Sequence, residues 1–420
     1  MITPASAKWL RPEWALIGFL WISYALNHAD RQVVYTLFPA LQKEFGFSDV
    51  VLGLTGALFL WVYGAFSPIA GIIGDRWSRP KLVVSSLALW STFTILSGFS
   101  PNGTFLLVCR ALLGISESFF MPAAFVLIAN AHGPETRSRA VALFATSQLV
   151  GVAVGGSLSG YIAELLHWRV SFWLLGGCGL LFAIPLWRFL AGVPPHFNGS
   201  GTVVPATFKS FTALFRIPSL RIVTAYVSVA TFGLYLVYTW RPTFLVDKFS
   251  IGLAQAGFEA SVYPQIGTAA GLFIGGMAAD KMYKRTRSAR FWIILVALLC
   301  GGPCIYLIGA GITLEATRIA AFAFGCFAGF ITANQAPSAF DVVPASQRAS
   351  TVGVLNFVGA AISGFAPFLG GMARNTIGVG QLMAYTSAIY MATGGLVLYA
   401  IGSHFQKDHR AAEAANVREG

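Results

Sequence analysis

Four ionisable side chains stand where the sequence is otherwise apolar. Asp30 and Arg31 lie within Asn27-His28-Ala29-Asp30-Arg31, in an apolar run over about 14–37. Arg110 and Glu117 lie in another, over about 104–130. A charge in hydrocarbon costs at least about 2–3 kcal/mol, so charges at such depth mark functional sites. The chemistry open to them is ion recognition and proton exchange. Arg31 and Arg110 carry planar guanidinium forks suited to carboxylate or phosphate. Asp30 and Glu117 exchange protons, and their protonation responds to burial and to whether a neighbouring guanidinium is free or engaged. Anion binding at an arginine and proton binding at a carboxylate would then be linked. The plainer alternatives are an arginine that only neutralises Asp30 and a Glu117 that only makes a structural hydrogen bond.

Later apolar runs supply Tyr235, Tyr238, Gln265, Asn334, Gln335 and Asn356 as candidate contacts for substrate hydroxyls. Each alone is more often glue between helices. Arg241, near the end of its run, is expected to snorkel to the interface. His28 sits two residues from Asp30, and such positions do not share a helix face. Five cysteines all fall in apolar runs. Cys300 and Cys304 are one turn apart but lack the histidine or carboxylate that a metal site needs. No phosphate-binding loop and no Ser/His/Asp set is present, so the expectation is a non-enzyme without metal or cofactor.

The elements that position these residues follow from composition. Of 420 residues, 56% are hydrophobic and 10% charged, with a mean hydropathy of +0.69. Soluble domains carry about 25% charge, so lipid is the main solvent here. Twelve runs are long enough to span a bilayer: 14–37, 50–73, 81–99, 104–130, 138–166, 169–191, 221–246, 254–280, 290–311, 314–339, 347–373 and 380–403. The first is too long, and carries Asp30 and Arg31, for a cleaved signal segment. With the N-terminus inside, twenty Lys and Arg residues fall in inside segments and five outside, leaving Arg31, Arg110 and Arg241 at membrane depth. That bias predicts cytoplasmic termini. It also accounts for the net charge of +12 without nucleic acid. The longest inside loop carries Pro194-Pro195 and Asn198-Gly199-Ser200-Gly201, a flexible linker, then an expected short surface helix over 206–216. It divides the chain into a six-helix bundle at 1–191, a linker at 192–220, a second bundle at 221–403 and a cytoplasmic tail at 404–420. At 1.5 Å per residue, Asp30 and Arg110 share a level in the outer half, with Glu117 roughly 10 Å deeper.

The halves repeat weakly. Gly71-Ile-Ile-Gly-Asp75-Arg76 closes the second run, and Gly276-Met-Ala-Ala-Asp280-Lys281 closes the eighth. Pro134-Glu-Thr-Arg-Ser-Arg-Ala140 precedes the fifth, and Pro344-Ala-Ser-Gln-Arg-Ala-Ser350 the eleventh. Parallel six-helix repeats around a linker are a transporter architecture. On these residues the chain resembles the major facilitator superfamily over essentially its whole length. Gly71-Ile-Ile-Gly-Asp75-Arg76-Trp-Ser-Arg79-Pro-Lys81 is similar to that superfamily's loop signature, with Ser78 where glycine is frequent and Pro80 displacing the last basic residue. The resemblance implies an all-α membrane protein of twelve transmembrane helices in two pseudo-symmetric bundles, moving its substrate by alternating access. It also implies a cytoplasmic latch built from Gly71, Asp75, Arg76, Arg79 and Asp280.

Within the superfamily, Asp30-Arg31 with Arg110-x-x-x-Gly114-x-x-Glu117 resembles the anion:cation symporters and the spinster-like lipid transporters. Leu26-Asn-His-Ala-Asp-Arg-Gln-Val33 leans to the spinster-like group. Trp240-Arg-Pro-Thr-Phe-Leu245 and His167-Trp-Arg-Val-Ser-Phe172 lean to the symporters. Gly151-Val-Ala-Val-Gly-Gly-Ser-Leu-Ser-Gly160 lacks the proline of the drug antiporter signature. The expected partners are a small anionic substrate, protons and the bilayer, with Arg31 and Arg110 binding the anion and Asp30 and Glu117 carrying protons. The protein is expected as a monomer in a bacterial inner membrane.

Overall fold

The computed structural model describes residues 12–192 and 214–419; side chains at 71, 72, 74–76, 134, 138, 346, 349, 418 and 419 lie outside the described set. Among the described residues the chain is helical, without strands. In chain order the helices are α1 (Pro12–Thr36), α2 (Phe38–Phe45), α3 (Asp49–Arg76), α4 (Arg79–Gly98), α5 (Gly103–Ser118), α6 (Phe120–Ala131), α7 (Pro134–Leu165) and α8 (Trp168–Ala191). After the linker come α9 (Pro218–Phe249), α10 (Leu253–Tyr283), α11 (Ala289–Ala310), α12 (Leu314–Phe340), α13 (Arg348–Ser363), α14 (Phe365–Arg374), α15 (Val379–Ser403) and α16 (Phe405–Glu419).

Among the described residues, ten spans are long and apolar enough to cross a membrane, each on one of the twelve expected runs. The other two expected runs are α1 and α10, of 25 and 31 residues. They are helical but more polar: α1 carries Asn27, His28, Asp30, Arg31 and Gln32, and α10 carries Glu259, Gln265, Asp280 and Lys281. Every residue of α1 from Asn27 to Thr36 is buried, so its polar stretch faces protein. Two expected runs are broken, at Phe119 between α5 and α6 and at Gly364 between α13 and α14. Pro122 and Pro367 follow in the first turn of the next helix, where a missing donor is tolerated. Ser48, Asn102 and Thr313 cap α3, α5 and α12 by accepting from the amides of Val51, Phe105 and Ala316. The surface helix expected at 206–216 lies outside the described residues up to position 213.

The tail at 404–420 contains a docked helix, α16. Its Asp408 carboxylate accepts from the Ser219 amide at the start of α9, and the Asn416 side chain accepts from the Ala345 amide before α13. His409 meets the Asp341 carbonyl after α12. Burial pushes the Asp341 carboxyl up, against the pull of Arg290 at 2.5 Å. Phe405 is fully buried, edge-on to Phe291 at 5.1 Å. This helix straps the ends of α9, α11, α12 and the segment before α13. Phe405→Ala should destabilise the protein by about 3 kcal/mol, as for a buried Phe. Val417→Ala, at an 81% exposed position, should leave the melting temperature in detergent unchanged.

The apolar cores divide unevenly. The largest joins α9 and α11–α16 to the ends of α1, α2, α3 and α8 that lie away from the chain termini, through Val33, Phe38, Leu52 and Trp168. A second lies within α1 and α3–α8, toward the opposite end, around Leu16, Leu82, Ile128 and Phe144, and a small third one joins Leu245 of α9 to Ala256 and Ala260 of α10. The two halves of the chain are therefore sealed together at the terminus-distal end. Backbones touch there: a Cβ on Gly53 would run into the Pro367 carbonyl, and one on Gly257 into the Gly156 carbonyl. The Trp240 indole donates to Pro367. Arg374 clamps the seam, binding Asp49 at 2.5 Å and the Gln42 side chain at 3.1 Å in the first half, and Asp247 at 2.7 Å in the second. Glu164, at the end of α7, accepts from the Ala254 amide at the start of α10. Freeing a partly buried guanidinium from two carboxylates should weaken closure by roughly 1–2 kcal/mol, about tenfold in population. In Arg374→Ala, dipolar distances between spin labels on the distal ends of α3 and α14 should lengthen. An unchanged distribution would show that the clamp carries no closing energy.

Candidate functional site

The four charged residues singled out in the sequence come together between α1, α3 and α5. Arg31 Nε donates to Glu117 Oε2 at 2.7 Å. The Arg31 guanidinium also lies 4.9 Å from the Phe59 ring centre and 4.7 Å from that of Tyr63, residues one turn apart on α3. Arg110 uses the same Phe59 ring at 5.1 Å. Gly114 lets α3 come this close, since a Cβ there would lie 2.8 Å from the Phe59 carbonyl. Arg110 reaches α1 and α3 through main chain, donating to the carbonyls of Asp30 and Thr55, each at 3.4 Å. Its Nη2, the Asp30 Oδ1 and the Glu117 Oε1 are buried without hydrogen-bond partners. Glu117 is the penultimate residue of α5, two positions before the break at Phe119.

Exposure separates the four. Asp30 is 2% exposed, Arg110 and Glu117 are fully buried, and Arg31 is 9% exposed. Arg31 is thus the least buried of the four. Arg110, expected as a second anion-binding group, is sealed behind Phe59 and spends two donors on carbonyls.

The candidates from the second half fare differently. The Tyr235 side chain comes near the Arg31 guanidinium, and its ring packs against the two larger apolar cores. Tyr238 accepts from Gln265 Nε2 at 2.5 Å, and its carbonyl accepts from Gln32 at 3.4 Å, a polar thread from α1 through α9 to α10. Asn334 is committed to structure, donating to the Gly275 carbonyl on α10 and to Phe330. Gln335 is half-buried and Asn356 exposed. Among the expected latch residues, Asp280 is exposed at the end of α10 and Arg79 is buried at the start of α4. The side chains of Gly71, Asp75 and Arg76 lie outside the described residues.

Arg241 corrects an expectation. It does not snorkel: it is fully buried and donates to the Glu259 carbonyl, while Arg318 holds the Glu259 carboxylate at 2.5 Å. The reading from the sequence missed Phe59 and Tyr63, which flank the guanidinium, and Asn27, which lies beside Glu117. The signal available was the spacing of an aromatic pair four residues apart, but in an apolar run that spacing reads as packing.

A sequence profile of the Major Facilitator Superfamily matches residues 20–367. The chain is 26% identical over 416 residues to an MFS-type efflux pump of Mycolicibacterium smegmatis, covering 95% of this chain and 94% of that one. It is 25% identical over 403 residues to the hexuronate transporter of Bacillus subtilis, covering 92% of each. Its fold matches, with a TM-score of 0.78 and 20% identity over 95% of this chain and 99% of the other, the crystal structure of a bacterial homolog to the human lysosomal transporter spinster in an inward-facing and occupied conformation. With helices able to cross a membrane, a charged site buried between them and a profile match over most of its length, the chain belongs to the Major Facilitator Superfamily.

Proposed function

We propose that the protein is a proton-coupled transporter of a small organic anion of the sugar-acid class, with Arg31 as the anion receptor and Glu117 as the proton carrier. The observation that carries this reading is the buried Arg31–Glu117 pair, in which the arginine keeps some exposure and the carboxylate has none. An anion that takes the Arg31 fork deprives Glu117 of its counter-ion. Glu117 then accepts a proton, because an unpaired buried carboxylate is costly. Tyr235 brings the second half to the same guanidinium, so closure around the anion joins the two halves. Tyr238 and Gln265 supply hydroxyl contacts, and Arg110 orients Asp30.

The chain crosses a bacterial inner membrane twelve times, with both termini in the cytoplasm. Residues 1–191 and 221–403 move as two bundles. In this frame the sealed distal end is the outer one and the conformation is inward-facing. Gly71, Asp75, Arg76, Arg79 and Asp280 latch the cytoplasmic end when it closes in turn. The hexuronate transporter of B. subtilis supports a sugar acid as cargo. The efflux pump of M. smegmatis supports the same site working outward, and proteoliposomes of defined orientation separate the two directions.

The test is transport of D-glucuronate in proteoliposomes. Arg31→Ala should lower both gradient-driven uptake and counterflow by about 10–100-fold, the worth of a hydrogen-bonded charge. Glu117→Gln should keep counterflow and lose accumulation driven by a proton gradient. Accumulation that survives in Glu117→Gln would remove Glu117 from coupling, and counterflow that survives in Arg31→Ala would remove Arg31 from anion binding.

A further inference from the structure

Asn27 lies on α1 one turn before Arg31, so the two side chains share a helix face. It is 1% exposed, and both its amide nitrogen and its amide oxygen are buried without a hydrogen bond in this conformation. A buried amide left open on both sides is rare and calls for an explanation. Its neighbour provides one. Arg31 draws Glu117 Oε2 onto this face at 2.7 Å, while Glu117 Oε1 is itself buried and without a partner. The Asn27 amide lies on the α1 face from which Arg31 holds that carboxyl, and neither the amide nor Glu117 Oε1 closes a hydrogen bond among the described residues. An unused donor and an unused acceptor thus share one buried face of α1.

We propose that Asn27 is a positioning residue for Glu117, holding its carboxyl in place when Arg31 is given over to the anion. The proposal rests on the reading of Arg31 and Glu117 above. In the resting pair the arginine holds one oxygen and the asparagine waits at the other. When the anion occupies the guanidinium, the Asn27 amide donates to Glu117. An amide can do so to either protonation state of the carboxyl, and its own oxygen can accept the proton of the neutral form. The carboxyl then stays on the α1 face through the exchange, ready to recapture Arg31 once the anion leaves. Around Glu117 stand Arg31, Asp30 and Tyr24 from α1, Arg110 from its own helix and Tyr235 from α9, with Tyr63 of α3 stacked on Arg31. Among these and Asn27, the asparagine alone is uncharged and without a titration of its own, so it can serve both states without changing the proton count.

The readout is the pH profile of D-glucuronate binding to the purified full-length protein, followed by ligand-induced thermal shift between pH 5 and pH 9. In Asn27→Leu, binding at the alkaline end should fall about tenfold, the scale of one hydrogen bond to a charged group. Binding at the acid end should stay within about twofold, so half-binding needs a more acidic pH. In the Glu117→Gln background, Asn27→Leu should leave the profile unmoved, because the two residues act through each other. Asn27→Ser gives the same sign if the leucine variant does not fold. A loss equal at all pH values, or one that persists beside Glu117→Gln, would overturn the proposal and make Asn27 a packing residue. If Arg31→Ala retains full binding, the underlying reading fails instead; if Arg31→Ala abolishes binding and Asn27→Leu keeps the wild-type profile, only the role of Asn27 fails.

Discussion

The arrangement depends on one constraint: neither Arg31 nor Glu117 can be left as a lone ion at its depth. Burying a pair of opposite charges is close to neutral or modestly costly, whereas stripping one member from the pair costs about 3–5 kcal/mol. The surrounding helices are built to keep the pair together. The rings of Phe59 and Tyr63 lie against the guanidinium, and Gly114 admits the α3 backbone that carries them. Arg110 ties α5 to the carbonyls of Asp30 on α1 and Thr55 on α3. Phe59 serves both arginines, so a shift of α3 against α5 is felt by both cations at once.

The same constraint explains where α1 is polar. Its buried stretch Asn27–Thr36 packs against protein on every side. A helix of this composition would be a poor lipid-facing span, and it is tolerated because other helices surround it. The distal seal follows the opposite rule. It is made of close backbone approach at Gly53 and Gly257 and of apolar packing around Phe38 and Trp240, with Arg374 added at the rim. A seal of that kind is broad and individually weak at each contact.

Much of this was legible in the sequence, because a bilayer imposes its rules on every residue. Run length and apolar content marked the spans, and the ten most apolar fall on expected runs. Asp30, Arg31, Arg110 and Glu117 were legible for the same reason, as charges where lipid forbids them. What the sequence hid was pairing. Arg110 and Arg31 are the same residue type at similar depth, and only three-dimensional burial separates the fully buried one from the partly exposed one. Arg241 misled because nearness to a run's end does not say whether α10 and α12 cover it. Phe59 and Tyr63 were invisible because an aromatic residue in an apolar run has an adequate explanation in packing alone. The docked α16 was missed because its buried face is, among the described residues, only Phe405, His409 and Ala412, too narrow a stripe to stand out beside its charged residues.

Charge balance takes the proposed reading one step further. Asp30, Arg31, Arg110 and Glu117 sum to zero formal charge when all are ionised, and the lining around Arg31 is otherwise neutral aromatic and amide groups. A monoanion entering that site alone would leave a net negative charge in a low-dielectric setting, where opposite charges must be matched locally. One proton on Glu117 restores the balance, and the loaded site is then neutral again. The loaded and the empty carrier therefore have the same charge, and both can reorient at similar electrostatic cost. A carrier with the anion but without the proton, or the proton without the anion, carries an unmatched charge and is held back. On this argument coupling needs no separate gate: it follows from a single arginine serving two carboxylates, one belonging to the protein and one to the substrate.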